Sequence, residues 1–405
     1  MARRLKGASS ADTRSAILDL IRSSGQISRI ELSEQSGLTE ATISKIVRAL
    51  IVGGLVIEAG YAESTGGKRP VLLELNTASR FALGVSLDYA RISLVLCDIN
   101  GTALHSHAIK GAGRSKPQTV IDRVAREIGR FCDKYAVART DIIGVGVSGA
   151  GRLDASGGVL RSSRQTGEWE EFAIEAALNE ATGLPVILEN DANCAALGEF
   201  WSGRVSTSHD FATIYMATGI GCGLVVNGDV YRGASSNAGE IGHVPLDPDG
   251  PECFCGSRGC LEVLATPAAV VRAARARTAL WKRLELHDAE GEDVRTSFAT
   301  IATAAVSGDA DAHSLIAQSA RYLASAVLGL TNIFDLDRIF LAGPGFATAG
   351  PIYLETVRDV LGRLAFMRMV HPVSVEMGET GPGAAARGAA SVVLHSNLTP
   401  HHVRG

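Results

Sequence analysis

The chain has 405 residues, few aromatic side chains (5%) and no stretch of about 18 consecutive apolar residues, so no membrane-spanning helix is expected. The opening Met1-Ala-Arg-Arg-Leu-Lys6 is not followed by the apolar core of a secretory leader, and a cytoplasmic protein is expected. Strong net charge is also missing. With 39 Lys and Arg against 43 Asp and Glu the balance is −4, which implies no global electrostatic partner. The first fifty residues nevertheless carry more basic than acidic side chains, and a nucleic acid would bind there. A disulfide framework is lacking too. Four of the seven cysteines, Cys97, Cys132, Cys194 and Cys222, stand alone in apolar contexts, which fits a reducing compartment. Plentiful apolar residues (46%) and 45 Gly describe a compact chain with many close backbone approaches, long enough for two or three domains.

The remaining three cysteines lie together in the stretch from Asn237 to Glu262, which reads Asn-Ala-Gly-Glu240-Ile-Gly-His243, a Pro-rich bend, then Cys253-Phe-Cys255-Gly-Ser-Arg-Gly-Cys260-Leu-Glu262. One His and three Cys in a turn-rich segment match the Cys3His set of a structural zinc site, with His243, Cys253, Cys255 and Cys260 as ligands. The competing reading is buried thiols, or a disulfide with a satisfied histidine. Glu240 and Glu262 flank the ligands, where the metal would hold them in place for a ligand of their own.

At the N-terminus, Ile17, Leu18, Leu20 and Ile21 mark one face of a helix over 13–24 that stops at Gly25. A second helix over 29–35, a turn at Ser36-Gly37-Leu38 and a third helix over 40–52 capped by Thr39 complete a helix-turn-helix pattern. In the third helix Ile43, Ile46, Val47 and Leu50 form the buried stripe, leaving Thr42, Ser44, Lys45 and Arg48 outward, where hydroxyls and basic heads can reach base edges or phosphates. A helical bundle with a solvated polar face would look similar. The next segment argues against that: two apolar strands, from Gly54 and from Pro70, are joined by a tip carrying Lys68 and Arg69, as in a wing whose cations meet a phosphate or a narrow minor groove. Thr39, Thr42, Ser44, Lys45, Arg48, Lys68 and Arg69 are therefore the expected DNA contacts.

From Phe81 strands alternate with helices, which implies an α/β fold. Strands are expected over 81–87, 92–99, 142–147, 186–188, 211–216, 224–226 and 338–341, and helices over 121–135, 172–182, 267–280, 298–307, 312–334 and from Gly383 onward. The strand ending at Leu188 leads into Glu189-Asn190-Asp191-Ala192-Asn193, polar groups at the carboxyl end of a strand, where open α/β sheets bind ligands. Asn190 and Asp191 could equally be plain helix caps. The run Thr218-Gly219-Ile220-Gly221-Cys222-Gly223 reads as a Gly-rich turn.

The N-terminal motifs Ser36-Gly37-Leu38-Thr39, Gly54-Leu55-Val56 and Gly67-Lys68-Arg69-Pro70 resemble the DNA-binding domain of regulators in the ROK family (repressors, open reading frames, kinases). Glu189-Asn190-Asp191-Ala192-Asn193, Gly239-Glu240-Ile241-Gly242-His243 and Cys255-Gly256-Ser257-Arg258-Gly259-Cys260-Leu261-Glu262 extend the resemblance over nearly all of 81–395. It implies a winged helix-turn-helix domain over 1–80 and a two-lobed α/β actin-like ROK domain over 81–398. The first lobe would cover about 81–192 plus a C-terminal helix over 382–398, and the second about 193–381. It further implies that Asn190, Asp191, Glu240, His243 and Glu262 hold a sugar and that His243, Cys253, Cys255 and Cys260 hold Zn2+. His243 can serve both, one ring nitrogen on the metal and the other toward the sugar.

Kinases of the family carry Asp-x-Gly-Gly-Thr-Lys after the first strand, where glycines admit nucleotide phosphates. Here Ser86-Leu87-Asp88-Tyr89-Ala90-Arg91 stands instead, with an acidic and a bulky residue in place of the glycines. Ala217 and Pro344 interrupt two further Gly turns. A sugar-responsive DNA-binding regulator without kinase activity is expected, as a homodimer or homotetramer on operator DNA. The alternative is an ATP-dependent sugar kinase with a fused DNA-binding domain.

Overall fold

The computed structural model describes residues 9–62, 69–154, 157–161, 169–203, 205, 210–286, 292–381 and 383–398. The N-terminal unit contains α1 (Ser10–Ser24), β1 (Ile27–Ser28), α2 (Arg29–Ser36), α3 (Glu40–Val52), β2 (Val56–Tyr61) and β3 (Val71–Leu75). Local chemistry sets these bounds. Ser28 and Glu31 form a reciprocal capping box at the start of α2, Gly37 ends it in the left-handed conformation, and Thr39 caps α3 by accepting from the Thr42 amide. Ile17, Ile21, Leu32, Ile43, Val47 and Leu50 are fully buried in one core, closed on one side by the sheet β1-β3-β2. The wing strands pair antiparallel with a bulge between Glu58 and Gly60.

Two five-stranded sheets follow. The first is built from β4 (Phe81–Leu87), β5 (Arg91–Asp98), β6 (Ala103–Lys110), β7 (Ile142–Gly149) and β10 (Val186–Asn190), in the spatial order β10-β7-β4-β5-β6. A small ribbon, β8 (Arg152–Asp154) and β9 (Val159–Arg161), lies in the connection between β7 and β10. The second sheet is built from β11 (Phe211–Met216), β12 (Ile220–Val226), β13 (Asp229–Val230), β14 (Arg338–Ala342) and β15 (Ser374–Met377), in the order β13-β12-β11-β14-β15. Each sheet begins with an antiparallel meander and continues with two parallel strands. The same arrangement thus occurs twice.

Helices α4 (Pro117–Tyr135) and α5 (Ile174–Thr182) cover the outer face of the first sheet, burying Val120, Val124, Ile128 and Leu178 against Leu83, Val85 and Val147. The outer core of the second is formed with α7 (Leu261–Ala265), α8 (Pro267–Arg275), α9 (Thr278–Arg283), α10 (Glu292–Val306), α11 (Ala310–Phe334) and α12 (Gly350–Leu364). Between the sheets lie α6 (Asp191–Trp201) and α13 (Ala384–Leu398), packed on each other. Their contact requires glycine, because a Cβ at Gly388 would come within 2.1 Å of the Cys194 carbonyl oxygen.

Several sequence expectations shift. The expected Gly-rich turn is strand from Ile220 onward, since β12 must lie against α6: a Cβ on Gly223 would meet the Ala192 carbonyl oxygen at 2.2 Å. The expected helix over 267–280 is two helices, α8 ending with Arg275 and α9 starting at Thr278. Strands β6 and β15 and helix α12 were not anticipated.

Candidate functional site

The carboxyl end of β10 and the start of α6 carry the first two candidate residues. Asn190 is the N-cap of α6, its Oδ1 accepting the Ala192 amide at 2.9 Å, while its Nδ2 lies 3.4 Å from the Gly151 carbonyl oxygen. The capping reading of Asn190 is therefore correct, and the residue also lines a cleft. Asp191 follows at the first helical position. Glu189 fixes this corner from below: its Oε1 accepts from the Asn190 amide and from Asn193 Nδ2, and its Oε2 pairs with Arg232 at 2.9 Å. Glu189 and Asn193, conspicuous in the sequence motif, thus act as supports.

Glu240, His243 and Glu262 enter from the segment after β13. His243 ends a short turn over Ile241–His243, and Glu262 sits in the first turn of α7. Room for the Glu262 carboxylate depends on glycine at position 219, where a Cβ would stand 3.0 Å from Glu262 Oε2. Asn190, Asp191, Glu240, His243 and Glu262 all line one cleft of about 380 Å³, which the sequence motifs alone could not establish.

Two further cleft residues escaped the sequence reading. Asn237 forms a double hydrogen bond with the backbone of Leu153, its Oδ1 accepting the amide at 2.7 Å and its Nδ2 donating to the carbonyl at 2.9 Å. It thereby ties the ribbon β8–β9 to the segment that carries Glu240. Arg152 lines the same cleft, and its charge opposes the upward shift of Glu240. Neither belongs to a recurrent spacing pattern, so only proximity reveals them.

Electrostatics single out Asp191. Burial pushes its carboxyl up to about 7, the Ala192 amide works against this, and the charges of Glu240 and Asp88 raise it further. The Glu240 carboxyl is also raised, first by desolvation, with His243 opposing and Glu262 adding to the effect. The cleft therefore concentrates carboxyl groups that repel one another and lack full solvation, an arrangement that hydroxyl donors of a ligand would relieve.

Adjacent to the cleft, the ligand atoms of His243, Cys253, Cys255 and Cys260 all lie within 4.8 Å of one another, a cluster that could hold a metal ion. Cys253 Sγ is 3.6 Å from His243 Nδ1 and Cys255 Sγ is 3.7 Å from Cys260 Sγ. A tetrahedral ion with metal–sulfur bonds of about 2.3 Å and metal–nitrogen bonds of about 2.05 Å has edges of roughly 3.6 Å (S–N) and 3.8 Å (S–S). The observed pairs fit those edges. Phe254 packs its ring against the His243 ring edge-on, with centroids 5.0 Å apart.

In the turn after β4, Asp88 accepts from the amides of Ala90 and Arg91 and forms an ion pair of 2.9 Å with Arg295 of α10, 207 positions away. In the N-terminal unit Thr42, Lys45 and Arg48 are exposed on α3, Ser44 is half-buried, and the Thr39 and Thr42 hydroxyls bond each other at 2.9 Å. Arg69 is exposed at the base of the wing tip; Lys68 lies outside the described residues.

A winged helix-turn-helix unit joined to a duplicated, two-sheet α/β domain with a polar cleft defines the class of a DNA-binding regulator with a ligand-binding domain. Residues 82–396 match the ROK family and residues 11–57 match winged helix-turn-helix DNA-binding domains. The chain belongs to the ROK family. It is 25% identical to the xylose repressor of Bacillus subtilis over 378 residues, covering 93% of this chain and 94% of that protein. It is 30% identical to the DNA-binding transcriptional dual regulator NagC of Escherichia coli over 330 residues, covering 81% and 79%. Among solved structures, a ROK family transcriptional regulator described as a homologue of the E. coli MLC protein superposes with a TM-score of 0.77 at 26% identity, covering 96% of this chain and 97% of that one. A ROK family glucokinase from Streptomyces griseus, in complex with glucose and AMPPNP, superposes with a TM-score of 0.66 at 26% identity, covering 77% and 98%. Among the described residues, no helix is long and apolar enough to cross a membrane.

Proposed function

We propose that the protein is a sugar-responsive transcriptional repressor: residues 1–80 read operator DNA, and the ROK domain over 81–398 binds a sugar and transfers no phosphoryl group. The observation that carries this reading is the convergence of Asn190, Asp191, Glu240, His243 and Glu262 on one cleft, in a chain whose similarity to repressors extends through the DNA-binding unit. Asn190, Asp191, Glu240 and Glu262 supply acceptors and an amide for sugar hydroxyls; unpaired, these groups penalise a sugar of the wrong pattern. His243, Cys253, Cys255 and Cys260 would hold Zn2+, which supplies no chemistry beyond fixing the fold of this wall and the orientation of the His243 ring.

Against kinase activity stands the Asp88–Arg295 pair. A carboxylate with a guanidinium already on it occupies the turn in which family kinases have glycine, and Tyr89 replaces the second glycine. Asp191 then lacks a phosphoryl donor to work with and serves to bind. Thr39, Thr42, Ser44, Lys45, Arg48, Lys68 and Arg69 face DNA in this reading.

A second copy completes the operator reader. Ile333, Phe334, Leu364, Phe366, Met369 and Val370, at the ends of α11 and α12 and in the segment that follows, are 37–85% exposed. The Phe366 amide donates to Asn332 Oδ1 at 3.0 Å, which keeps the two segments side by side. Together they offer a run of exposed apolar side chains of the kind that fills the core of a subunit interface. A palindromic operator calls for a two-fold pair.

The test is a thermal-shift screen of aldopentoses, aldohexoses, N-acetylhexosamines and their phosphates, with and without ATP and magnesium, followed by operator titrations with the best binder. A sugar that stabilises the protein and changes its DNA affinity, with no ADP released in a coupled assay, is the expected result. Turnover that disappears in Asp191→Asn would promote the kinase alternative.

A further inference from the structure

Helix α6 has one end in the cleft and the other under the DNA-reading unit. Its first residue, Asp191, and its cap, Asn190, line the cleft. Ten residues after Asp191, about 15 Å along the axis at 1.5 Å per residue, it ends at Trp201. Every residue from Ala192 to Trp201 is buried, between α13 on one side and β11 and β12 on the other. Such a helix has no free surface along which to bend and moves as a unit.

At the far end, Arg22 of α1 stacks its guanidinium on α6. Its central carbon lies 4.5 Å from the centroid of the Trp201 ring and 5.3 Å from that of Phe200. The side chain is only 8% exposed, and Asp19 one turn earlier holds it at 2.8 Å. A desolvated cation on an indole face is a strong contact of its kind. The N-terminal unit has further seats beside it: Ile99, at the tip between β5 and β6, is fully buried in the core of that unit with Ile17 and Ile21, and Leu398 of α13 packs against the same core. The Ile99 seat belongs to the tip of the first sheet and the Arg22 seat to the end of α6, and the two meet where Trp201 packs on Gly101, a Cβ at which would stand 3.0 Å from the Trp201 Cβ. Beside the Arg22–Trp201 contact is a cavity of about 400 Å³, lined in part by Arg22, Asn100, Gly101, Trp201 and Arg387. The buried Trp201 Nε1–H finds no acceptor among the described residues. The joint is thus neither filled nor fully satisfied, which leaves it room to rearrange.

We propose that α6 is the lever that carries sugar occupancy to the DNA-reading unit, and that Arg22 and Trp201 are positioning residues forming its joint. A sugar that draws the two lobes together on Asn190 and Asp191 shifts the end of α6 along its contact with the Gly101 tip, into the cavity beside it, and α1 tilts with it. This rests on the cleft being the sugar site. Arg22 touches neither sugar nor the proposed DNA contacts, so its role is read in coupling alone.

The experiment is hydrogen–deuterium exchange on the full chain, with and without each member of the sugar panel, in wild type, Arg22→Ala, Arg22→Lys and Trp201→Phe. A binding sugar is expected to slow exchange around Asn190, Glu240 and Glu262 and to change exchange over Ser10–Ser24. In Arg22→Ala the cleft protection should persist, with sugar affinity within about twofold of wild type, as additivity of distant sites requires. The response of α1 should vanish, and Arg22→Lys and Trp201→Phe, which keep a cation over an aromatic ring, should restore it in part. Cleft protection with an unchanged α1 in wild type, or an α1 response that survives Arg22→Ala, overturns the lever while leaving the sugar site intact. If no sugar protects the cleft, the functional reading falls and the lever with it.

Discussion

Replacing Asp191 by Asn should stabilise the sugar-free protein, and by an amount that grows with pH. The wild-type carboxyl sits at about 7 in the fold because burial, Glu240 and Asp88 all disfavour its charge. In the unfolded chain it returns to an ordinary value near 4. Between those two values the folded protein binds a proton that the unfolded chain does not, so stability is full below about pH 4 and declines as pH rises through about 7. At about 1.4 kcal/mol per pH unit, the three-unit interval caps the penalty near 4 kcal/mol. Asp191 is only partly shielded, and its surroundings relax around a charge, so a penalty of about 1–3 kcal/mol is the working figure. Asn is nearly isosteric and never charges. Its stabilisation should approach zero near pH 4 and reach roughly 1–4 °C in melting temperature near pH 8.

The assay is thermal unfolding of both proteins across that pH range. Sugar binding should run the other way, because an ionised Asp191 accepts hydroxyl hydrogen bonds that a neutral one accepts less well: wild-type affinity should rise through about pH 7, while the Asn variant binds weakly at every pH. A melting-temperature difference that does not depend on pH, or a variant less stable than wild type near pH 8, would refute the reasoning, since either would mean that the carboxylate is solvated in the fold.

Cys255→Ser or Cys260→Ser should lower thermal stability and release metal together, by elemental analysis of chelator-free protein that otherwise carries about one zinc per chain. Neutralising Lys45, Arg48 or Arg69 should weaken operator binding and flatten its salt dependence; a fragment starting at Phe81 that still bound the operator as well would contradict the assignment. Met369→Glu with Phe366→Glu should shift the protein toward monomer in analytical ultracentrifugation and cost operator affinity without changing the melting profile of each protomer.

The parts of the fold legible in the sequence are those in which one short-range signal decides. Helix α3 is legible with its final bounds because Thr39 caps it, Gly53 stops it and the apolar period runs unbroken between them. Strand β6 leaves no signal because it lies at the edge of its sheet and most of it is exposed, so Leu-His-Ser-His carries no apolar run. Helix α12 opens on Gly350-Pro351 and contains Gly362, and β15 is four residues on the other sheet's edge. Glycine misled in β12, where it signals a turn by habit of sequence but is required for the approach of α6.

The candidate site divides along the same line. Its metal cluster is local, eighteen residues from His243 to Cys260, and spacing alone brought the ligands into view. The cleft draws on chain segments far apart: the residues alone offer separate motifs, and only the family resemblance implies that they hold one sugar. Asn237 on Leu153, Asp88 on Arg295 and Arg22 on Trp201 join positions separated by tens to hundreds of residues, and no periodicity encodes such pairs. These contacts tie separate segments of the chain to one another. The cleft's polar groups come from a capped helix and from a segment beside the metal cluster, both held from behind, while the pairs that cross between units are exposed or poorly filled, as with Asp88–Arg295 and the cavity at Arg22. A regulator needs that division: the ligand's partners must be rigid enough to select it, and the joints must be weak enough for the ligand's differential binding energy, typically ~1–3 kcal/mol of coupling, to move them.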